Sequence, residues 1–320
     1  MNSTNTYDTV EEAAAIRALT ASIRTGIWTA LTHGCRPAVK LAEELDLVPD
    51  AVRRILQLLE ARGWTRQTAR GWTVNPKLVE NGGMLPESVP HYVERLEGLE
   101  DYLKNGEPTQ RFGGGKDYAR VASDLGSMFA ACADELARRL PFQPTSVLDL
   151  GAGSGVFGLA MARRHKLDRL VGFDRAEVIP AFERHAVESG FETIATGRAG
   201  DFLFDELPSD FDCALLCNVL RILSRDDAQS LLDRARDTLR PGGHLVVVDV
   251  IGEDPPGLRL RRSMYRLDLA LRNDSGSTFS QEELRLMYES SNLELKRDFR
   301  LEHGPLGELV HILMPGPEEK

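Results

Sequence analysis

Val147-Leu148-Asp149-Leu150-Gly151-Ala152-Gly153-Ser154-Gly155-Val156-Phe157-Gly158 runs from an apolar strand signal through a glycine loop into a helix, and the rest of the chain is organised around that passage. Glycines 151, 153 and 155 let the backbone turn sharply and let a ligand approach without Cβ interference, while the helix start offers free N–H groups. Alone, such a loop suits a dinucleotide as well as other nucleotide-like ligands. From Ser146 onward the apolar strands SVLDL (146–150), RLVGFD (169–174), CALLCNV (213–219) and HLVVVDV (244–250) alternate with amphipathic helices at 155–164, 179–189 and 226–239. That alternation predicts an α/β domain whose parallel sheet is covered on both faces.

Local signals punctuate these elements. Ser224 is the expected N-cap of the third helix, with Asp226 and Asp227 in its first turn, Ala228, Leu231, Leu232 and Ala235 on one stripe, and Pro241-Gly242-Gly243 as its stop. Ser280 and Glu283 form a capping box for a final helix, and 293–301 and 308–314 read as two closing strands.

Ahead of this domain the pattern is helical. Apolar positions from Ala14 to Leu31 predict one helix over 11–31, Pro37 opens a second through Leu45, and Pro49 starts a third that places Val52, Leu56 and Leu59 on one face and stops at Gly63. WTRQTARGWTV (64–74) then reads as a hairpin turning at Ala69-Arg70-Gly71. Three helices and a two-stranded wing make a winged-helix pattern. Residues 1–80 hold ten Lys/Arg against nine Asp/Glu, so dimerisation and covering a pocket are better expected uses than DNA contact. Segments 81–92 and 112–116 are punctuated by glycine and proline around helices expected at 91–104 and 117–140. Gly113-Gly114-Gly115-Lys116 lacks the spacing of a phosphate loop and reads as a joint.

Composition narrows the partners. The 320 residues carry a formal charge of −10, with 42% hydrophobic and 28% charged residues, which disfavours a nucleic-acid partner. No apolar run approaches the ~18–20 residues of a membrane span. The N-terminal stretch lacks the features of a secretory signal, so a cytoplasmic location is expected. Cys35, Cys132, Cys213 and Cys217 form no CxxC pair and read as reduced thiols, and the seven histidines occur without a metal-binding motif, so no metal is expected.

Two acids distinguish the glycine loop from a pyrophosphate site. Asp149 sits two residues before the first glycine, where it suits a cofactor with a cationic amino-acid moiety. Asp174 ends the next strand, about 20 residues on, where a carboxylate can accept both ribose hydroxyls. Together LDLGAGSG (148–155), GFD (172–174), Gly200-Asp201-Phe202, NVLRILSRDDA (218–228) and LRPGGHLVVVD (239–249) resemble the S-adenosylmethionine (SAM)-dependent methyltransferases. More narrowly, the chain resembles the small-molecule O-methyltransferases that include caffeate, hydroxyneurosporene and polyketide-tailoring enzymes. The resemblance implies a Rossmann-like, mostly parallel sheet with the last strand antiparallel over about residues 111–320. A winged-helix-like dimerisation or lid domain with its linker would occupy 1–110. It further implies a homodimer that binds SAM and a small-molecule methyl acceptor. By the same resemblance Gly151, Gly153 and Gly155 line the methionine and ribose part, Asp174 holds the ribose diol, Asp201 and Phe202 read the adenine, and Cys217 and Asn218 lie near the sulfonium. Asp201 could instead be a solvated loop acid, and Phe202 a core aromatic.

One position departs from the family. The stretch after the fourth strand commonly carries a histidine base, and here that position is Arg221, which cannot take a proton at neutral pH. Either the acceptor needs no base, as with a thioether, thiolate or carboxylate, and Arg221 clamps an anionic group; or another residue, among His91, Tyr118, Tyr265 and His303, serves as base for an O- or N-acceptor; or SAM is bound for chemistry other than methyl transfer. A surface arginine pairing with Asp226 is the plain alternative for Arg221. The cluster Arg259, Arg261, Arg262 and Arg266 is compatible with an anionic acceptor or with a solvated helix face. A SAM-sensing regulator and a dehydrogenase are the readings from other classes.

Overall fold

A computed structural model describes residues 6–75, 89–108, 115–276 and 278–317, with backbone alone at 6–8, 89–91, 115–125 and 127. The chain divides into two compact units, Met1–Gly98 and Leu99–Lys320. The expected boundary at 110/111 falls among residues 109–114, outside the described ones, as do the residues 81–88 and Gly113-Gly114 expected to join the domains.

In the first unit α1 (Thr6–Arg24) and α2 (Ile27–Thr32) replace the single helix expected over 11–31. The break is Gly26, whose φ of 82° is left-handed and ends the first helix. α3 (Ala38–Glu44) and α4 (Pro49–Ala61) follow, then the antiparallel pair β1 (Thr65–Thr68) and β2 (Gly71–Val74) and the helix α5 (Val89–Glu97). Trp28, Leu31, Leu41, Leu56, Leu59 and Trp72 meet in one core. On α4, Arg53 and Arg54 are both paired to Asp50.

The second unit begins with α6 (Leu99–Asn105) and α7 (Gly115–Arg139). There follow β3 (Ser146–Leu150), α8 (Val156–Arg164), β4 (Arg169–Asp174), α9 (Ile179–Glu188), β5 (Ala195–Ala199) and β6 (Phe211–Cys217). A 3-10 turn at Leu220–Ile222 leads to α10 (Arg225–Asp237), β7 (Leu239–Asp249), α11 (Arg259–Arg272), α12 (Gln281–Ser290), β8 (Leu293–Arg300) and β9 (Leu309–Pro315). The seven strands lie in the order β5-β4-β3-β6-β7-β9-β8, with β9 antiparallel to both neighbours and β3 to β7 parallel. Every residue of β3 is buried, as a central strand with helices on both faces requires. Chain order reverses across β3, since β4 lies on one side and β6 on the other, and this opens a crevice at the carboxyl ends of the strands.

Packing sets the sites of close approach. Phe182 of α9 lies across Gly172 of β4, where a Cβ would come within 2.4 Å of the ring. Its full burial contributes about 1.5–3 kcal/mol. Ser224 caps α10 by accepting the Asp227 amide at 3.1 Å, and Ser280 and Glu283 form the reciprocal capping box of α12. One expectation changes, and one strand enters that the sequence does not signal. Pro241-Gly242-Gly243 does not terminate α10, which already stops at Asp237; the three residues belong to the start of β7, where the pairing with β6 is irregular. The strand β5 carries only one fully buried residue, Ala195, so it gives no apolar run to detect. No described helix is long and apolar enough to cross a membrane.

Candidate functional site

The crevice at the strand ends is a cavity of about 460 Å³, within the usual size of a small-ligand site. The glycine loop forms its floor. The amides of Gly151 and Ala152 donate to Phe173 O at 2.9 and 3.3 Å, which fastens the loop to the end of β4. Gly151 has φ 72°, and a Cβ there would stand 2.6 Å from Val219 Cγ2, so the residue must be glycine for both conformational and steric reasons.

Two carboxylates are set by this loop. Asp149 is 2% exposed and accepts the Gly158 amide at 3.0 Å, an N–H of the first turn of α8 that has no partner within the helix. Burial pushes its carboxyl up to about 7, against the lowering effect of that amide. Asp174 accepts the Gly153 amide at 2.8 Å on one oxygen and the Arg175 amide at 2.7 Å on the other, and burial raises it as well. Each oxygen keeps a further lone pair for a ligand.

The expected residues largely converge. Asp149, Gly151, Gly153, Asp174, Asp201, Phe202, Cys217 and Asn218 all line the cavity, with Asp174 and Asp201 at the ends of β4 and β5 on one side of β3 and Cys217 and Asn218 at the end of β6 on the other. Gly155 does not line it. With φ 77° it is the N-cap of α8, and its missing Cβ admits the ring of Phe182 at 2.6 Å, so its glycine serves the packing of α9. Asp201 is half-buried and accepts the Leu203 amide at 2.9 Å, and Phe202 lines the cavity while also packing against the core. Asn218 adopts φ 63° and leaves its Oδ1 buried with no described partner; Ser154 Oγ is buried and unpartnered likewise. Cys217 is buried and its thiol is pushed well up by burial, so it stays protonated.

Arg221 is not a surface residue. It is 4% exposed, its backbone N–H donates to Asp249 Oδ2 at 3.3 Å, and its guanidinium lies 3.6 Å from Asp249 Oδ1 and over the Tyr265 ring at 4.9 Å. Burial opposes its charge, but Tyr265, Asp249 and Glu308 outweigh it and hold the guanidinium protonated. Asp249 and Glu308 are 2% and 0% exposed, and burial raises both carboxyls. The lone cation that an anion clamp needs is therefore absent at this position. Tyr265 lines the cavity, and burial raises its phenol, which makes it a poor proton acceptor.

Other candidates fall elsewhere. His303 is held at 3.0 Å by Glu135 and does not line the cavity. Burial opposes the charge of Glu135, yet the amides of His303 and Glu302 and the His303 and Arg139 side chains bring it down to about 2. The side chains of His91 and Tyr118 lie outside the described residues, and no described histidine lines the cavity.

The basic cluster does not line the cavity. Arg262 is fully buried and donates to the carbonyls of Leu306, Ile251, Gly252, Glu253 and Gly307, and Arg266 pairs with Asp254. The cavity instead meets Tyr265, Leu269, Arg272 and Asn273, one face of α11 and its end. Spacing of i, i+4 and i+7 from Tyr265 was the signal for them. Arg272 pairs with Asp268 at 3.1 Å, and Asn273 donates to Ile222 O at 2.7 Å. Phe129 and Phe157 close the wall, ring centroids 6.0 Å apart.

The family described as an O-methyltransferase domain matches residues 116–291. Among curated proteins, the N,N-dimethyltransferase OxyT of Streptomyces rimosus is 24% identical over 309 residues, spanning 90% of this chain and 89% of its own length. The aclacinomycin 10-hydroxylase RdmB of Streptomyces purpurascens is 30% identical over 244 residues, spanning 68% of this chain and 65% of its own. The solved structure of the mitomycin 7-O-methyltransferase MmcR is alike in fold, with a TM-score of 0.80 at 21% identity over 97% of this chain and 96% of that one.

Proposed function

The chain belongs to the O-methyltransferase domain family, and from that premise we propose that it transfers a methyl group from S-adenosylmethionine to a small molecule. One observation carries the reading: a single cavity gathers Asp149, Asp174, Asp201, Phe202 and the unpartnered Asn218 Oδ1 at the ends of successive strands. These residues fit the donor. Asp174 would accept the ribose hydroxyls, Asp201 and Phe202 would meet the adenine, and Asp149 with Asn218 Oδ1 would receive the ammonium of the amino-acid end. When bound, the donor supplies a sulfonium methyl that passes in line to the acceptor and leaves S-adenosylhomocysteine. This chain's own part is to orient the two partners and keep water out, which supplies much of the rate in such a displacement.

The acceptor atom follows from residue 221. An arginine there takes no proton, and the Tyr265 phenol is raised by burial, so an acceptor that needs no protein base is favoured, a thioether or a thiol already ionised as thiolate first. A hydroxyl deprotonated by another group is the second choice. Chemistry other than methyl transfer is kept as a further reading because the relative RdmB is named a hydroxylase. The helical unit Met1–Gly98 would serve dimerisation, which light scattering on the purified chain tests. A cytoplasmic location is supported by four free cysteines.

Calorimetry with S-adenosylhomocysteine tests the donor site. Asp174→Ala should cost at least about 2 kcal/mol of binding with the fold intact, and an unchanged affinity would discredit the assignment. Incubation with labelled donor and a panel of thioethers, thiols, amines and phenols separates transfer from other chemistry by release of S-adenosylhomocysteine.

A further inference from the structure

Arg262 and Arg221 are both buried in the second unit, at 0% and 4% exposure, and they differ in one respect. The Arg262 guanidinium donates to five main-chain carbonyls at 2.8–3.4 Å and is fully used in holding two loops together. The Arg221 guanidinium donates no hydrogen bond to any described residue: its nearest carboxylate oxygen, Asp249 Oδ1, lies at 3.6 Å, and Nη1 is buried without a partner. Buried donors left unmade are costly and uncommon. Nη1 is turned toward Asp249, and Arg221 also lines the cavity beside Tyr265, so a ligand there meets the guanidinium through its other donors.

Charge decides what that partner is. Asp249 already faces the guanidinium, and Glu308, fully buried, acts on it as a second acid. Arg272, another guanidinium lining the cavity, pairs with Asp268 at 3.1 Å. An anionic group at Arg221 would add a further negative charge beside the two acids, a juxtaposition that costs several kcal/mol in a desolvated site. A neutral oxygen would take the unmade hydrogen bonds without that repulsion. The geometry points to an uncharged acceptor that presents a carbonyl-type oxygen, as of a ketone, quinone or amide, to the guanidinium of Arg221. This rests on the cavity being the methyl-transfer site, and it replaces the anionic acceptor that an isolated arginine would imply.

Benzamide and benzoate are matched in shape and differ in charge, so they read the preference directly. On protein saturated with S-adenosylhomocysteine, with binding followed by ligand-observed NMR, benzamide should bind at least about tenfold more tightly than benzoate. Arg221→Met should abolish benzamide binding, and Asp249→Asn, which leaves Glu308 as the one acid acting on the guanidinium, should narrow the preference for benzamide over benzoate. Equal or tighter binding of benzoate to the unaltered protein, binding of neither probe, or benzamide binding that survives Arg221→Met would overturn the inference. Should Arg221→Met fail to fold, the unaltered protein and Asp249→Asn decide it. Calorimetry with S-adenosylhomocysteine alone reports on the donor site, so a failure there counts against the proposed function and leaves the probe comparison to be made on donor-free protein.

Discussion

Asp149 gives the pH dependence of donor binding a definite sign. In the free protein burial holds its carboxyl near 7, about three units above an ordinary aspartate. A ligand ammonium needs the ionised form, so binding must release the proton wherever it is still present. The ionised fraction rises from about 9% at pH 6 to about 91% at pH 8, which amounts to about tenfold in affinity, or 1.4 kcal/mol. Over this range the ammonium of S-adenosylhomocysteine stays protonated. Calorimetry at pH 6, 7 and 8, repeated in buffers of different ionisation enthalpy, should show both the tightening and the proton release. Asp149→Asn keeps an oxygen for the Gly158 amide and loses the charge, so its affinity should be flat with pH and about 10–100-fold weaker at pH 8. The same linkage acts on stability with the opposite sense. A carboxyl raised in the folded state binds more protons there than when unfolded, so the ligand-free protein loses up to about 4 kcal/mol as pH climbs from 4 to 7, and the asparagine variant should melt higher at pH 8. A pH-independent affinity in the unaltered protein, or the same slope in Asp149→Asn, would refute the reasoning.

Three further outcomes follow from geometry. Gly151→Ala forces a left-handed φ on alanine and sets its Cβ against Val219; it should cost about 1–3 kcal/mol in urea unfolding and weaken S-adenosylhomocysteine. Arg262→Met strips the donor from five carbonyls, and a loss of about 3 kcal/mol or more in chemical denaturation is expected, with a smaller loss showing that the knot is dispensable. His311 is buried against Tyr288 at 3.0 Å, and burial lowers it to about 4. A depressed histidine protonates first in the unfolded chain, so stability should fall by up to about 3 kcal/mol as pH drops from 6.5 toward 4, and His311→Gln should flatten that slope in thermal melts.

The proposed donor side of the cavity was largely legible in the amino-acid order because its parts are local. Asp149 and the glycines share one strand-loop-helix passage, and Asp174 and Asp201 each end a segment whose apolar run or motif announces it. The acceptor side was not. Asp249 closes the apolar run Leu245–Val248 and looked like an ordinary strand end, yet the parallel pairing of Cys217 with Val248 carries it beside Arg221. Arg259, Arg261, Arg262 and Arg266 read as one cluster because they crowd one helix, while burial separates Arg262 from the rest.

Sequence alone therefore determined the alternation of strands and helices, the caps at Ser224 and Ser280, and the residues around the glycine loop, since each depends on neighbours a few positions away. The tertiary structure decided that Gly155 serves packing, that Arg262 is a structural knot, and that the charge of Arg221 is already balanced. Those three depend on groups 27 or more residues distant, Phe182, the loop at Leu306–Gly307, and Asp249 with Glu308, and only the pairing and packing of whole elements brings such groups within reach.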